Sequence, residues 1–563
     1  MDYNEADTCR IYITPALQSV GWEDPPHSIT EQRTFTDGRI VVSNNKPRRG
    51  KPKRADYILR YRSGYAIAVV EAKKRAVVAS SGLQQAKEYA EILGLKFAYA
   101  TNGDEIIEHD FLTGRQRKLS AFPTPDELWA RLSGEEVITE EQAEAIFYPP
   151  HSDQRRKPRY YQEIAINRTV QAIVQGGSRI LLTMATGTGK TFVAFQICWK
   201  LWNTRWNTDN AYRKPKILYL ADRNILIDDP KDKTFTPFKD ARMKIEGDEI
   251  VKSREIYFAT YQSLADRDGI PGRYRQYRPD FFDLIVVDEA HRGSARDDST
   301  WREILEYFEP AVQLGMTATP LREDTRDTYS YFGNPLYEYS LRQGIEDGFL
   351  APYTVHRVVT NVDAMGWRPS AGERDQYGRE IPDGEYRTED FDRVVALKAR
   401  TEAMARHLLG HLEKTGNLYA KTLIFCVDQD HALAMRDAIA KQVPEIIQQH
   451  PDYVCRVTSD EGDYGRRHLE QFQDVESVSP VILTTSKLLT TGVDAPTTQN
   501  VVLVRVINSM PEFKQIIGRG TRVRDDYGKL FFNIIDYTGT ATRMFADPAF
   551  DGYPAHITEE EID

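Results

Sequence analysis

Residues 179–202 read RILLTMATGTGKTFVAFQICWKLW. An apolar run of buried-strand type passes into a loop with two glycines, and a helical pattern starts directly after it. In the loop, Thr186, Gly187, Thr188, Gly189, Lys190 and Thr191 stand in the order of a phosphate-binding turn. Gly187 and Gly189 let the chain curl so that backbone N–H groups and the helix N-terminus face a phosphate. Lys190 adds a point charge, and the Thr191 hydroxyl can ligate Mg²⁺. Met184 stands where the usual pattern begins with glycine. Strand, loop and helix in this order predict an α/β fold with the loop at the carboxyl end of a parallel strand.

Outward from this loop the same rhythm continues. KILYLA, EIYFATY, DLIVVDEA and AVQLGMTA are buried-strand runs separated by helical patterns, which is the signature of a parallel sheet. After about residue 350 a second series follows, YTVHRVV, KTLIFCV, PVILTT and NVVLVRV, so the fold is used twice. Residues 365–390, rich in Gly, Pro and charge, read as a surface excursion. On the amino-terminal side, YPPHSDQRRKPRYYQ (148–162) reads as a linker. Three blocks result: 1–150, 151–350 and 351–563.

The chain has 563 residues, 40% hydrophobic and 28% charged, as expected of a globular protein of several domains. Its net charge of −10 argues against indiscriminate coating of nucleic acid, without excluding local basic grooves. Four cysteines without a CxxC pair make a disulfide scaffold or a structural zinc unexpected. The polar, acidic start MDYNEADTCR is no signal peptide and no stretch has the length of a membrane span, so the expectation is a cytoplasmic protein with no membrane partner.

About a hundred residues beyond the loop, FFDLIVVDEAH (281–291) ends a buried run in Asp288, Glu289, Ala290 and His291. In a phosphate-loop NTPase an acid at this place holds Mg²⁺ and a second polarises the attacking water, which makes Asp288 the metal-side residue and Glu289 the base. From Gln162 to about Arg522 the chain resembles the superfamily 2 helicases and translocases of DEAH-box type, with the motifs in family order. The resemblance implies that Gln162 reads adenine, that ADRNIL (221–226) and TYQS (260–263) track a strand, and that Thr317, Ala318 and Thr319 of MTATP (316–320) couple the two. LIFCVD (423–428), TTSKLLTTGVDAP (484–496) and QIIGRGTR (515–522) look like the remaining motifs, which implies that Arg519 and Arg522 reach the γ-phosphate from the second lobe. Two arginines three apart fall on one helical face, in agreement with that role. ATP and Mg²⁺ are the expected cofactors, and translocation is expected without any commitment to strand separation.

The first block carries a second chemistry. In KRADYILRYRSGYAIAVVEAKK (53–74), strand-forming runs flank Ser63 and Gly64, and a two-residue turn there makes paired positions sum to 127. Asp56 then lies opposite Glu71, and Lys73 shares the face. Two adjacent carboxylates repel each other unless a cation joins them. The set Asp56, Glu71, Ala72, Lys73 resembles the PD-(D/E)xK nucleases, with Ala55 in the place of the proline. Gln85 and Tyr89, four apart on an amphipathic helix, look like the QxxxY motif of that superfamily. Glu5 either completes the metal site or is an exposed helix-start glutamate. The basic run KPRRGKPKR (46–54) either binds backbone phosphates or is a solvated loop, and RYRQYR (273–278) reads as a basic surface loop.

The order nuclease, first RecA-like lobe, second RecA-like lobe resembles the restriction subunit of type I restriction-modification enzymes. In the related type III subunits the nuclease follows the motor. The resemblance implies an ATP-dependent translocase and endonuclease acting on double-stranded DNA. It also implies methyltransferase (M) and specificity (S) partners that recognise the site, with cleavage of unmethylated DNA away from it. Family members continue past the last helicase motif into a helical spacer and a carboxyl-terminal docking region. This sequence stops about forty residues after Arg522, at AHITEEEID, and is expected to be a truncated or unusually short member. Two alternatives stay open: a repair or defence helicase-nuclease without a methyltransferase, and a DNA-binding remodelling ATPase that does not cleave.

Overall fold

The computed structural model of the chain describes residues 4–562 apart from 44–45, 135–137, 154–156, 248–249, 267–270, 291–296, 320–325, 371, 376–377, 379, 387, 389, 392–396, 487–494 and 546–547. His291, Pro320 and residues 487–494 of TTSKLLTTGVDAP therefore lie outside the described residues. Three large sheets follow one another along the chain, of six, seven and seven strands, beside a two-stranded ribbon.

The first sheet is built on the hairpin Arg54–Arg62 and Tyr65–Ala72. Tyr57↔Val70, Ile58↔Val69 and Leu59↔Ala68 pair in the expected register, and a bulge then shifts Arg60 onto Ala66. Phe97–Thr101 runs parallel to the second hairpin strand, and Ser28–Thr34 lies antiparallel to the first. Both faces are covered. Tyr57, Leu59, Val70 and Tyr99 pack against Ile13, Leu17 and Trp22, whereas Ile58, Val69 and Ala98 pack with Ala86 and Ala90 of the helix Leu83–Leu93. Strand side chains alternate, so Asp56 and Glu71 continue the helix-facing row.

Both later sheets are parallel throughout and lie among helices. In the second sheet the phosphate-loop strand Arg179–Met184 lies between Val312–Thr317 and Tyr337–Tyr339. Beyond Val312–Thr317 come Leu284–Asp288, Ile217–Ala221, Ile256–Thr260 and Arg242–Lys244. The third sheet runs Val454–Arg456, Ile482–Thr485, Thr422–Phe425, Asn500–Leu503, Phe532–Asp536, Tyr353–Thr360, His556–Ile562. Every apolar run singled out in the sequence is one of these strands. Of the five strands outside those runs, four are sheet edges, where half the pairing is absent. Within the excursion at 365–390, Trp367 pairs with Tyr386, and both pack with Ile381 and Phe391. Among the described residues no helix is long and apolar enough to cross a membrane.

The strand that ends in Asp288 is anchored at its other end by Asp283, whose carboxylate is fully buried. It accepts from Thr208 N and Oγ1 (3.0 and 2.8 Å), Lys216 N (2.7 Å) and Arg213 Nη1 (2.6 Å). Burial alone raises its pKa, but Arg213 and these donors outweigh it and hold the carboxyl below the usual range. A depressed pKa adds stability above the unfolded value that is lost as pH falls. Asp283→Ala is expected to lower the stability of this lobe by about 3–5 kcal/mol in urea unfolding, and to flatten its loss below pH 4, because Arg213 and the amides lose their acceptor.

Candidate active sites

The phosphate loop is closed by its glycines. Gly187 and Gly189 have φ of +88° and +84°, a backbone that side chains disfavour, and Gly189 leads directly into the helix Lys190–Asn203. Lys190 Nζ donates to Met184 O (3.4 Å) and lies 3.6 Å from Glu289. Thr188 O accepts from both Tyr161 OH (2.9 Å) and Gln162 Nε2 (2.8 Å), while Gln162 Oε1 accepts from Arg159 N (3.0 Å). Gln162 thus braces the loop and caps its own helix, two contacts that sequence reasoning missed.

Asp288 and Glu289 arrive at the carboxyl end of Leu284–Asp288, beside the loop. Asp288 Oδ2 accepts from Tyr219 OH (2.6 Å), and its Oδ1 accepts from Glu289 N (3.0 Å). Burial and the neighbouring Glu289 push the Asp288 carboxyl up to about 6. Tyr219 also interacts with Thr191, so one buried phenol sits between the two candidate Mg²⁺ ligands. In the sequence it is one aromatic in a strand run, with no signal to separate it from core. Glu289 has φ of +52°, strained for a residue with a side chain, and such strain concentrates at functional sites. Thr317 and Thr319 are buried, and Thr319 N donates to Thr317 Oγ1 (3.1 Å).

The arginines of QIIGRGTR do not share a helical face. The helix Met510–Ile517 ends before them, and Arg519 and Arg522 lie in the following turn. Past the helix end, a Cβ at Gly520 would stand 2.2 Å from Phe532 Cδ2, so only glycine fits where the chain passes this ring. Arg522 Nη1 nevertheless donates to Gly187 O (2.7 Å), and Thr521 Oγ1 to Thr186 O (3.4 Å). Arg519 Nε turns back to Gln515 O (3.1 Å). Arg522 thus touches the phosphate loop across the cleft.

In the first sheet, Asp56 Oδ2 accepts from Ala72 N (2.8 Å) and Oδ1 from Gln32 Nε2 (3.0 Å). Lys73 Nζ donates to Glu71 Oε1 and Gln85 Oε1, both at 3.4 Å, and Gln85 Nε2 to Tyr89 OH at 3.1 Å. The structure thus brings Asp56, Glu71, Lys73, Gln85 and Tyr89 into one chain of contacts. Glu71 is 3% exposed, and its Oε2 is buried with no hydrogen-bond partner. Burial, then Asp56, pushes its carboxyl up to about 8 against the pull of Lys73, and Glu5 raises it further. Two buried carboxylates, one with an orphaned oxygen, are the hard-oxygen donor set that a divalent cation such as Mg²⁺ takes.

The basic run 46–54 divides. Arg49 turns inward: Nη2 donates to Asp525 Oδ2 (2.7 Å) and Nη1 to Gly348 O (3.2 Å). Lys46, Arg48, Lys51, Lys53 and Arg54 stay exposed. Nearby, Asp37 N and Gly38 N donate to Asp347 O (2.8 and 3.1 Å), and the Asp347 carboxylate accepts from Tyr160 and Tyr339. In RYRQYR, Tyr274 and Tyr277 are core residues and Arg275 pairs with Asp266.

Comparison with known proteins agrees with this layout. A family profile described as Type III restriction enzyme, res subunit, matches residues 155–322, the segment that holds the phosphate loop. The chain is 44% identical over 568 residues to the EcoAI type I restriction enzyme endonuclease subunit of Escherichia coli, covering 99% of this chain and 69% of that one. The chain belongs to the type I restriction enzyme endonuclease-subunit family. A solved fragment of an HsdR subunit of a type I restriction enzyme from Vibrio vulnificus YJ016 is 58% identical with a TM-score of 0.85, over 100% of this chain and 98% of that one. The EcoKI endonuclease subunit of Escherichia coli strain K12 is 33% identical over 67% of this chain and 34% of its own length. As a type I endonuclease subunit with a helicase-like domain, the protein matches the type III profile over the first parallel lobe, while its likeness over the whole chain is to type I.

A raised acid pKa binds a proton in the folded state that the unfolded state has lost, so metal-free stability is full below pH 4.5 and declines towards pH 8. In EDTA, Glu71→Gln is expected to remove this decline and gain of the order of 4 kcal/mol at pH 8 relative to wild type in unfolding of the first domain. Adding Mg²⁺ to wild type should restore part of the difference and leave Glu71→Gln unmoved.

Proposed function

We propose that this subunit is the ATP-driven DNA translocase and endonuclease of a type I restriction-modification system, with residues 1–150 as nuclease, 151–350 as first motor lobe and 351–563 as second. With methyltransferase and specificity partners, it would draw in unmethylated double-stranded DNA and cleave it away from the recognition site. The observation that carries this reading is the contact of Arg522 with the phosphate loop at Gly187, in a chain that also holds the buried Asp56–Glu71 pair.

In the motor, Gly187, Thr188, Gly189 and Lys190 hold the triphosphate, Thr186 lines the loop, and Gln162 reads the base from the loop's other side. Thr191 and Asp288 would hold Mg²⁺, which when bound neutralises the phosphate oxygens. Glu289 takes the proton of the attacking water, and Arg522 and Arg519 stabilise transition-state charge only when the lobes are closed. Hydrolysis is thereby tied to lobe motion, and lobe motion to movement along DNA. In the nuclease, Asp56 and Glu71 would hold a Mg²⁺ that polarises the phosphodiester. Lys73 positions the attacking water, with Gln85 and Tyr89 orienting Lys73 from the helix. The exposed cations of 46–54 line the approach to Asp56 and suit DNA phosphates.

The test is cleavage of unmethylated circular plasmid by the full-length subunit with its partners. Glu71→Ala should abolish cutting, by about a hundredfold or more, while ATP hydrolysis survives. Lys190→Ala should abolish both. Cutting by Glu71→Ala at the wild-type rate would exclude the hairpin as the nuclease site, and cutting without ATP or partners would favour a self-sufficient helicase-nuclease.

A further inference from the structure

The turn that carries Arg522 is held from beneath by a residue of no known motif. Lys529 is 1% exposed, and its Nζ donates to the carbonyls of both Gly520 and Arg522. Its own backbone is fixed by a two-way pairing with Arg524, N to O and O to N at 2.9 Å each, closed through the short turn Asp525–Tyr527 and Gly528 at φ +65°. Three residues on, Phe532 begins a buried strand of the third sheet and supplies the ring on which Gly520 rests. From the other side, Ala351 N donates to Thr521 O (2.8 Å), and Leu350 bridges Arg522. The two carbonyls held by one ammonium flank the peptide groups that aim the Arg522 side chain at Gly187.

The geometry points to Lys529 as the positioning residue of the arginine turn: by holding the carbonyls of Gly520 and Arg522 it fixes the backbone from which the Arg522 guanidinium crosses the cleft to the phosphates. This rests on the proposed role of Arg522 in hydrolysis and adds the residue that sets it. Among the described residues no carboxylate appears in the groups that Lys529 Nζ contacts, and burial drives its pKa well down. An apolar side chain in its place would leave the carbonyls of Gly520 and Arg522 without this donor, so its removal costs stability as well as precision. What the ammonium adds is the fixed pair of carbonyls. Angular precision matters here, since misplacing a reacting group by about 1 Å costs roughly a hundredfold in rate.

The experiment is steady-state, DNA-stimulated ATP hydrolysis by the full-length subunit with its partners, comparing wild type, Lys529→Met, Lys529→Gln, Arg522→Ala and the double variant Lys529→Met/Arg522→Ala. Lys529→Met is expected to lower the thermal midpoint by no more than a few degrees, to leave KM for ATP within about threefold, and to lower kcat about tenfold or more. Lys529→Gln, which keeps one carbonyl donor, should fall between it and wild type, and it serves as the readout should the methionine variant not fold. The double variant should be no slower than Arg522→Ala, because Lys529 acts through that arginine. Wild-type kcat in both Lys529 variants, or independent and multiplying losses in the double variant, overturns the assignment while leaving the motor reading intact. Arg522→Ala hydrolysing at the wild-type rate overturns both.

Discussion

The structure depends on one contact across a cleft, the Arg522 guanidinium on the carbonyl of Gly187. With Thr521 Oγ1 on Thr186 O and Ala185 packed into the apolar cluster of the third sheet, it joins the two parallel sheets. On one side the phosphate loop has no freedom: two glycines in left-handed conformation shape it, and Tyr161 and Gln162 hold Thr188 from outside. On the other side the arginine sits on a turn pressed against Phe532, with Thr186 so close that a Cβ at Gly518 would stand 2.2 Å from it.

The first domain meets the lobes at the same place. Residues 347–351 connect the two parallel sheets, and Asp347 O accepts from Asp37 and Gly38 while its carboxylate accepts from Tyr160, two residues from Gln162. Arg49 touches Gly348 and Asp525 together, one in the connection and one beside the arginine turn. Lys53, whose N donates to Thr36 Oγ1, is three residues from Asp56. A short run of hydrogen-bonded backbone therefore joins the phosphate-loop side of the cleft to the carboxylate pair. Contiguity of this kind gives a physical route for coupling, and coupling itself is a free energy to be measured.

Much of this was legible in the sequence because the signals were local. The phosphate loop, the alternation of apolar runs and the hairpin register through Leu59 each depend on residues a few positions apart. The bulge at Arg60 and the end of the helix at Ile517 were not legible in the local pattern, and neither was the close approach of Phe532 to Gly520, which joins residues distant in the chain. Tyr219, Asp347 and Lys529 were missed for a related reason. A buried tyrosine, aspartate or lysine carries no periodic pattern, and its importance appears only when the carboxylate or carbonyl it holds comes into place. The basic run 46–54 read as one patch in the sequence, and the structure divides it between an inward Arg49 and exposed neighbours.

The central claim is that nucleotide is read as closure of the two parallel lobes through Arg522. The direct measurement is the distance between spin labels on Tyr212→Cys and Tyr464→Cys, both exposed positions on opposite lobes, in a Cys9→Ser background where the remaining native cysteines are buried. The account predicts that Mg²⁺ with a non-hydrolysable ATP analogue narrows and shifts the distance distribution, and that Arg522→Ala abolishes the shift while the analogue still binds. An unchanged distribution on binding, or the same shift in Arg522→Ala, would contradict it.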